Sequence, residues 1–130
     1  MTIYVCLDQR GGMRFNNRRQ SRDAAVLADI LSSLPDVLTI DPCSEKLIHA
    51  AGIPYTLASG VFSEDTHFFL EEGIASEIVP KASRVVIYRW NRNYPADVRF
   101  DADLSGFSLQ NTEEFPGKSH ETITKEVYVR

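Results

Sequence analysis

The order of apolar and polar positions predicts alternating strands and helices in the first half of the chain. Ile3-Tyr4-Val5-Cys6-Leu7 is a short apolar run rich in β formers, which is typical of a buried strand. Ser21-Arg22-Asp23 precedes a run of good helix formers, which predicts a helix over about residues 22–33. Val37-Leu38-Thr39-Ile40 supplies a second strand. A strand, helix and strand in this order imply a parallel pair with a right-handed crossover.

The second half of the chain adds further short elements and ends in a different pattern. A short helix is predicted from Ser44 to Gly52, a strand at residues 68–70, and a helical stretch over 73–79 that Pro80 ends. Residues 53–66 receive no assignment. The longest β-branched and aromatic run, Val85 to Trp90, predicts a strand that is covered on both faces.

The last third alternates apolar and polar residues on both sides of Pro116-Gly117, as in an antiparallel hairpin. The predicted fold class is therefore α/β: parallel units that finish in an antiparallel edge. At 130 residues the chain fits one domain over 1–130, since two cores of half that size would each be marginal.

Composition narrows the possible partners. Hydrophobic residues make up 43% and charged residues 25%, as in an ordinary globular protein. The net charge of −4 argues against nonspecific attraction to phosphate backbones, because such binding needs clustered Lys and Arg. No stretch approaches the roughly 18–20 apolar residues of a membrane span, and no cationic region precedes an apolar run at the N-terminus. We therefore expect a cytoplasmic protein without membrane partners.

Several segments carry a resemblance to dihydrofolate reductase. Val79-Pro80-Lys81-Ala82-Ser83-Arg84-Val85-Val86-Ile87 resembles that family's passage from helix to strand, and Asp97-Val98-Arg99-Phe100 is similar to its Asp-x-x-Phe segment. Phe107 takes the place of its tryptophan, and residues 124–130 resemble its closing strand. The resemblance implies a single dihydrofolate reductase-like domain, shortened in its middle part. Its central sheet would be mixed but mostly parallel, flanked by short helices, with a C-terminal antiparallel hairpin.

The residues that make this fold a reductase are largely missing. The family's carboxylate on the first helix falls on Val26, with Asp23 and Asp29 one turn to either side as the candidate substitutes. Of the family's phosphate-binding motif only the hydroxyl of Ser44 remains. Its paired glycines fall near Glu71 and Glu72, which cannot give a cofactor the same close approach. We therefore expect no cofactor, with NADPH as the alternative.

Two arginine-rich segments are the candidate binding residues. Arg14 to Arg22 holds four arginines, Phe15 and three amides, and we take Asn17, Arg18, Arg19 and Arg22 as ligands for a phosphate or carboxylate. Tyr88, Arg89 and Trp90 end the predicted central strand, where ligands of open α/β sheets collect. The competing interpretation of the two segments is a solvated loop and packing at the sheet edge.

Other constellations of reactive side chains are weaker. His49, His67 and His120 lack the spacing of a metal site, and none is predicted. Ser119-His120-Glu121 has the composition of a catalytic triad, but consecutive residues of an extended strand point to opposite faces. Cys43 could be a thiolate if it opens a helix, although no base partner is visible.

These observations leave three hypotheses. The preferred one is a non-catalytic protein that binds a small anionic ligand, nucleotide or pterin-like, in a pocket retained between the first helix and the sheet. The second is a divergent NADPH-dependent reductase of a pterin or other heterocycle, with Asp23 or Asp29 as proton relay. The third is an RNA-associated protein that uses the Arg14 to Arg22 segment, with Phe15 stacking on a base. Pairing of an exposed sheet edge into a homodimer remains open.

Overall fold

The computed structural model describes all 130 residues, which form ten strands and three α-helices. The strands are β1 (Thr2–Leu7), β2 (Gly12–Phe15), β3 (Arg18–Arg19), β4 (Leu38–Ile40), β5 (Tyr55–Leu57), β6 (His67–Leu70), β7 (Arg84–Arg89), β8 (Val98–Arg99), β9 (Ser108–Pro116) and β10 (Thr122–Val129). The helices are α1 (Ala24–Ser33), α2 (Glu45–Ala50) and α3 (Ala75–Ile78). Short 3₁₀ turns at Pro42–Ser44 and Val79–Lys81 adjoin α2 and α3.

Seven strands form the main sheet in the order β5-β4-β6-β1-β7-β10-β9. The first five are parallel, whereas β10 runs antiparallel to both β7 and β9. The mixed sheet with its antiparallel C-terminal hairpin is therefore confirmed. One detail differs from the prediction: β1 and β4 are parallel but not neighbours, because β6 lies between them and pairs with both.

The middle of the sheet is buried on both faces because β1 and β7 carry apolar side chains in both orientations. On one face Tyr4 and Tyr88 pack with α1 and α2 in a core of 14 buried residues. On the other face Ile3, Val5 and Ile87 belong to a second core of 12 buried residues. This two-sided burial explains why both strands are continuous apolar runs rather than alternating ones.

The predicted first helix is confirmed as α1, and its start is set by Asp23. The Asp23 side chain accepts a hydrogen bond from the backbone N–H of Ala25 at 2.8 Å, as an N-cap residue does. The helical stretch near Pro80 differs from the prediction, since the 3₁₀ turn continues through Pro80 to Lys81. Proline is tolerated there because the first residues of a helical turn need no N–H partner.

The segment after β1, for which a solvated loop was the competing interpretation, contributes β2 and β3 to a small second sheet in the order β3-β2-β8. β2 and β3 form a tight hairpin in which Phe15 pairs with Arg18 and Arg14 with Arg19. Its two central residues, Asn16 and Asn17, have φ values of 51° and 61°. Asparagine tolerates this left-handed region, and a two-residue hairpin of type I′ needs it at both positions.

The edges of the main sheet are β5 and β9. The unassigned stretch 53–66 thus contributes one edge strand. Every residue of β9 except Phe115 is exposed, so this edge is open to solvent. A homodimer through either edge remains a prediction. None of the three helices is long and apolar enough to cross a membrane.

The packing of α1 makes a first prediction about stability. Ile30 is completely buried against the sheet, whereas the next residue, Leu31, is 40% exposed. We expect Ile30→Ala to lower the free energy of unfolding by about 2–5 kcal/mol, because it leaves a cavity, and Leu31→Ala to lower it by less than about 1 kcal/mol. Urea unfolding of the two variants measures this. Equal losses would contradict the described orientation of the helix.

Candidate functional site

An open cleft of about 850 Å³ lies beside the β2–β3 hairpin. It is bounded by the hairpin, by the residues that lead into α1, by the turn before α2, and by the turn between β9 and β10. We call it the arginine cleft. Its lining residues are Arg14, Asn17, Arg18, Arg19, Ser21, Arg22, Cys43 and Ser119. The hairpin therefore brings together four of the predicted ligand residues, namely Asn17, Arg18, Arg19 and Arg22.

The four arginines of the cleft are not equivalent. Arg19 makes two hydrogen bonds of 2.7 Å to the carboxylate of Glu71, and Arg14 is buried and donates to the backbone carbonyl of Asn17. Arg18 and Arg22 are exposed, and their guanidinium groups have no acidic or hydrogen-bonding partner within the protein. The positive charge available to a ligand therefore belongs to Arg18 and Arg22.

Glu71 connects the cleft to the C-terminal ends of β4 and β6. Its carboxylate accepts hydrogen bonds from Arg19 and also from the hydroxyl of Ser44, at 2.7 Å. Ser44, the remaining candidate for phosphate binding, is completely buried in this contact. Asp41 lies in the same region, where burial and then the charge of Glu72 raise its pKa. At this end of the sheet the charge of Glu71 is therefore compensated by Arg19.

A second polar cluster forms where α1 begins, around the carboxylate of Asp23. The buried Asp23 side chain accepts hydrogen bonds from the backbone N–H groups of Lys118, Ser119 and His120, at 2.8–3.1 Å, in addition to Ala25. The ring Nδ1 of His120 lies 3.0 Å from the same carboxylate. Burial alone would raise the pKa of Asp23, but these hydrogen bonds outweigh it and hold the pKa well below its usual value.

His120 occupies the centre of this cluster and joins it to the cleft. Its ring stacks on Trp90 with centroids 4.5 Å apart and an interplanar angle of 16°. Its Nε2 lies 3.0 Å from the hydroxyl oxygens of both Ser21 and Tyr94. No spacing rule predicts these contacts of His120 from the sequence, because Ser21 and His120 are 99 residues apart.

The second set of predicted ligand residues, Tyr88, Arg89 and Trp90, does not line the arginine cleft. The Tyr88 hydroxyl donates to Asp29 at 2.6 Å, and Lys125 lies 2.7 Å from the same carboxylate. Arg89 pairs with Glu126 at 2.9 Å and leaves β7 on the opposite face from Tyr88. Of this cluster only Trp90 reaches the site, through the ring of His120.

A much smaller space lies beside the arginine cleft, and no residue of α1 lines it. The retained pocket between the first helix and the sheet stays a prediction. At the C-terminal ends of β1 and β6 only about 10 Å³ remains open. The residues around this remnant are Cys6, Met13, Arg19, Gln20, Ser21, Leu70, Glu71 and Trp90. Such a volume holds about one water molecule. This remnant is therefore too small for a nucleotide or a pterin.

An apolar groove of about 420 Å³ continues from the arginine cleft between α1 and α2. Arg22 and Ser119 line both spaces. The groove walls are mainly leucine and alanine, contributed by Leu27, Leu31 and Leu47 among others. A ligand that occupies both spaces would place a charged group beside the arginines and an apolar group between the helices.

Other reactive side chains add no further site. Burial and then a contact with Glu72 raise the pKa of the Cys43 thiol, which keeps it protonated. No three His, Cys, Asp or Glu side chains converge closely enough to hold a metal ion.

A mixed sheet of this order with helices on both faces defines an α/β fold. Among solved structures, the chain matches dihydrofolate reductase from Enterococcus faecalis complexed with NADP(H) and RAB-propyl, with a TM-score of 0.71. The match covers 99% of this chain and 95% of that chain, at 11% sequence identity. No protein-family profile and no curated protein matches the sequence. The chain therefore has the dihydrofolate reductase fold, as its sequence predicts.

The contacts of Asp23 predict a pH-dependent contribution to stability. Because its pKa is lower in the folded protein, the contribution is complete above the unfolded value of about 4 and is lost as the pH falls through the folded value. We expect Asp23→Asn to lower the free energy of unfolding by about 2–4 kcal/mol at pH 7, and by less at pH 3. Denaturant unfolding at both pH values measures it. Asp36→Asn, at an exposed position, serves as control, and an equal loss at both pH values would contradict the prediction.

The turn that binds Asp23 leaves no room for a side chain at Gly117. A Cβ there would lie 2.5 Å from the carbonyl oxygen of His120 and 2.6 Å from Asp23 Oδ2. We expect Gly117→Ala to cost about 1–3 kcal/mol of stability. At Gly106 a Cβ would approach only the flexible end of Arg130, at 3.2 Å, and we expect Gly106→Ala to change stability by about 0.5 kcal/mol or less. Thermal unfolding of both variants tests this, and a neutral Gly117→Ala would contradict the described turn.

Proposed function

We propose that this protein binds a small anionic molecule, nucleotide or pterin-like, in the arginine cleft. The observation that carries the proposal is the pair of exposed, unpartnered guanidinium groups of Arg18 and Arg22 in one concave site. Guanidinium groups bind phosphate and carboxylate oxygens through paired hydrogen bonds, which makes such a pair suited to an anion.

The surroundings of the two arginines support a ligand of limited size. The cleft volume of about 850 Å³ lies within the range of about 300–1,000 Å³ that is common for small-molecule sites. Asn17 and Ser119 add uncharged hydrogen-bonding groups at its wall. The apolar groove between α1 and α2 can accept a ring or another apolar part of the same molecule.

The alternative, an NADPH-dependent reductase, requires a cofactor that the residues present do not fit. Ser44 is buried and donates its hydroxyl to Glu71, so it is committed within the protein. Glu71 pairs with Arg19 in the same region, so neither side chain is free to bind a pyrophosphate. The Asp23 carboxylate accepts hydrogen bonds from the turn that follows β9. The Asp29 carboxylate accepts a hydrogen bond from Tyr88 and pairs with Lys125. We therefore derive no hydride or proton transfer to a pterin.

RNA association is the second candidate, and one observation favours it. Phe15, an aromatic residue that is 47% exposed, pairs with Arg18 across the hairpin. A base could stack on this ring while the arginine binds a backbone phosphate. Affinity for RNA would fall steeply with salt concentration, whereas binding of a small ligand would depend on salt only weakly.

The proposal predicts that binding depends on the anionic group of the ligand. We expect ADP to raise the melting temperature of the protein and adenosine, which lacks the phosphates, to leave it unchanged. Replacing both Arg18 and Arg22 by glutamine should weaken ADP binding at least about tenfold, since each charge-assisted hydrogen bond contributes about 1.5–3 kcal/mol. Isothermal titration calorimetry measures the change.

Arg92→Gln is the matched control, because Arg92 is exposed and lies outside the cleft. Equal affinity of the double variant and the wild type would contradict the proposal. The same titration with pterin and pterin-6-carboxylate tests the pterin-like class. Saturable quenching of Trp90 fluorescence by micromolar NADPH would instead favour the reductase.

A further inference from the structure

We propose that Ser21, His120 and Asp23 form a nucleophilic triad that hydrolyses carboxylic esters of small anionic molecules at the edge of the arginine cleft. The choice of an anionic substrate rests on the proposed function. The triad itself rests on separate observations: the contacts of three side chains that come from the two ends of the chain.

The three side chains have the order and distances that nucleophilic catalysis requires. Ser21 Oγ lies 3.0 Å from His120 Nε2, and His120 Nδ1 lies 3.0 Å from Asp23 Oδ2. His120 and Asp23 are buried, at 4% and 1% exposure, whereas Ser21 is half-buried and lines the cleft. The nucleophile therefore faces the ligand space while its base and the orienting carboxylate are shielded from water.

Asp23 sets the hydrogen-bonding direction of the histidine ring. Its carboxylate accepts from four backbone N–H groups and remains ionised, so Nδ1 of His120 donates its proton to it. When the ring is neutral, Nε2 is an acceptor and the hydroxyl of Ser21, 3.0 Å away, can donate to it. This is the tautomer in which the histidine can remove a proton from the serine.

Two aromatic residues hold the histidine ring in place. Trp90 stacks on one face, and Tyr94 approaches with its hydroxyl oxygen 3.0 Å from Nε2. Tyr94 is a positioning residue in this arrangement. Its hydroxyl shares the Nε2 lone pair with Ser21, so the two donors compete until a substrate approaches the serine.

The reaction follows from these contacts with atoms and charges balanced. Ser21 Oγ attacks the ester carbonyl carbon while its proton passes to His120 Nε2. The bond between the carbonyl carbon and the ester oxygen breaks, and the leaving alcohol takes the proton from Nε2. Water then attacks the acyl-serine with His120 again as base, which releases the carboxylic acid and restores the serine hydroxyl.

Arg22, the residue after Ser21, would stabilise the negative charge that develops on the carbonyl oxygen of the substrate. The backbone N–H of Arg22 donates to no group of the protein, and its side chain lines the cleft. Arg18 and Arg22 would bind the anionic part of the substrate, and the groove between α1 and α2 would take an apolar part. An amphiphilic, negatively charged ester fits this arrangement.

Labelling with a fluorophosphonate tests the nucleophile without requiring anion binding. Attack by Ser21 Oγ forms an oxygen–phosphorus bond and expels fluoride, and peptide mass spectrometry locates the adduct. We expect modification at Ser21, none in Ser21→Ala, and full modification in Ser59→Ala, where an exposed serine outside the cleft is removed. Circular dichroism establishes that Ser21→Ala is folded.

Turnover of two esters of equal acyl length tests the substrate class. 4-Nitrophenyl succinate carries a negative charge and 4-nitrophenyl butyrate does not. We expect Ser21→Ala to lower kcat for the succinate ester at least about a hundredfold, and the wild type to prefer the anionic ester by about tenfold in kcat/KM. Replacing Arg18 and Arg22 by glutamine should remove the preference, whereas Ser59→Ala should leave both the preference and Ser21 labelling intact.

The two proposals fail in distinguishable ways. No adduct at Ser21 and ester turnover that is unchanged in Ser21→Ala would overturn the triad, even if ADP binds as expected. Turnover that requires Ser21 but shows no preference for the anionic ester would support the triad as a nucleophilic device and overturn the anionic substrate.

Discussion

The carboxylate of Asp23 is the contact on which the functional end of this molecule depends. It caps α1 through Ala25 and binds the backbone of the turn between β9 and β10 through three further N–H groups. One ionised group thereby joins an element near the N-terminus to the hairpin at the C-terminus. A buried charge is stable only when its hydrogen-bonding capacity is satisfied, and here the turn satisfies it. The position of His120, and of the cleft wall beside it, follows from this contact.

The fold is that of dihydrofolate reductase, and its side chains fill the end of the sheet beside β1 and β6. Tyr88 and Trp90 are buried in the core that contains α1 and α2, and only about 10 Å³ remains open beside Cys6 and Glu71. Glu71 ties Arg19 and Ser44 together where paired glycines are expected in the reductase family. The open space lies outside this region, at the β2–β3 hairpin, and its chemistry is set by arginine, serine and the buried histidine. A shared fold thus says little about function until the side chains of the site are placed.

The sequence predicts the elements better than it predicts their contacts. The strands near residues 3–7 and 85–90, the first helix and the C-terminal hairpin follow from apolar runs and alternation, because burial of one or both faces imposes those patterns. The β2–β3 hairpin was missed, although Asn16-Asn17 is compatible with a type I′ turn. The arginines of the cleft were found because they lie within nine residues. The role of His120 was missed because it depends on a contact across most of the chain.

What the sequence by itself determined is local: which segments are strands and helices, and that arginines cluster before the first helix. Such features depend on residues a few positions apart, which side-chain periodicity and turn preferences encode directly. The tertiary structure alone decided which arginines keep a free charge and that Ser21 contacts His120. Those outcomes depend on distances of a few ångströms between residues far apart in the chain, which only the packed sheet and its closing turn establish.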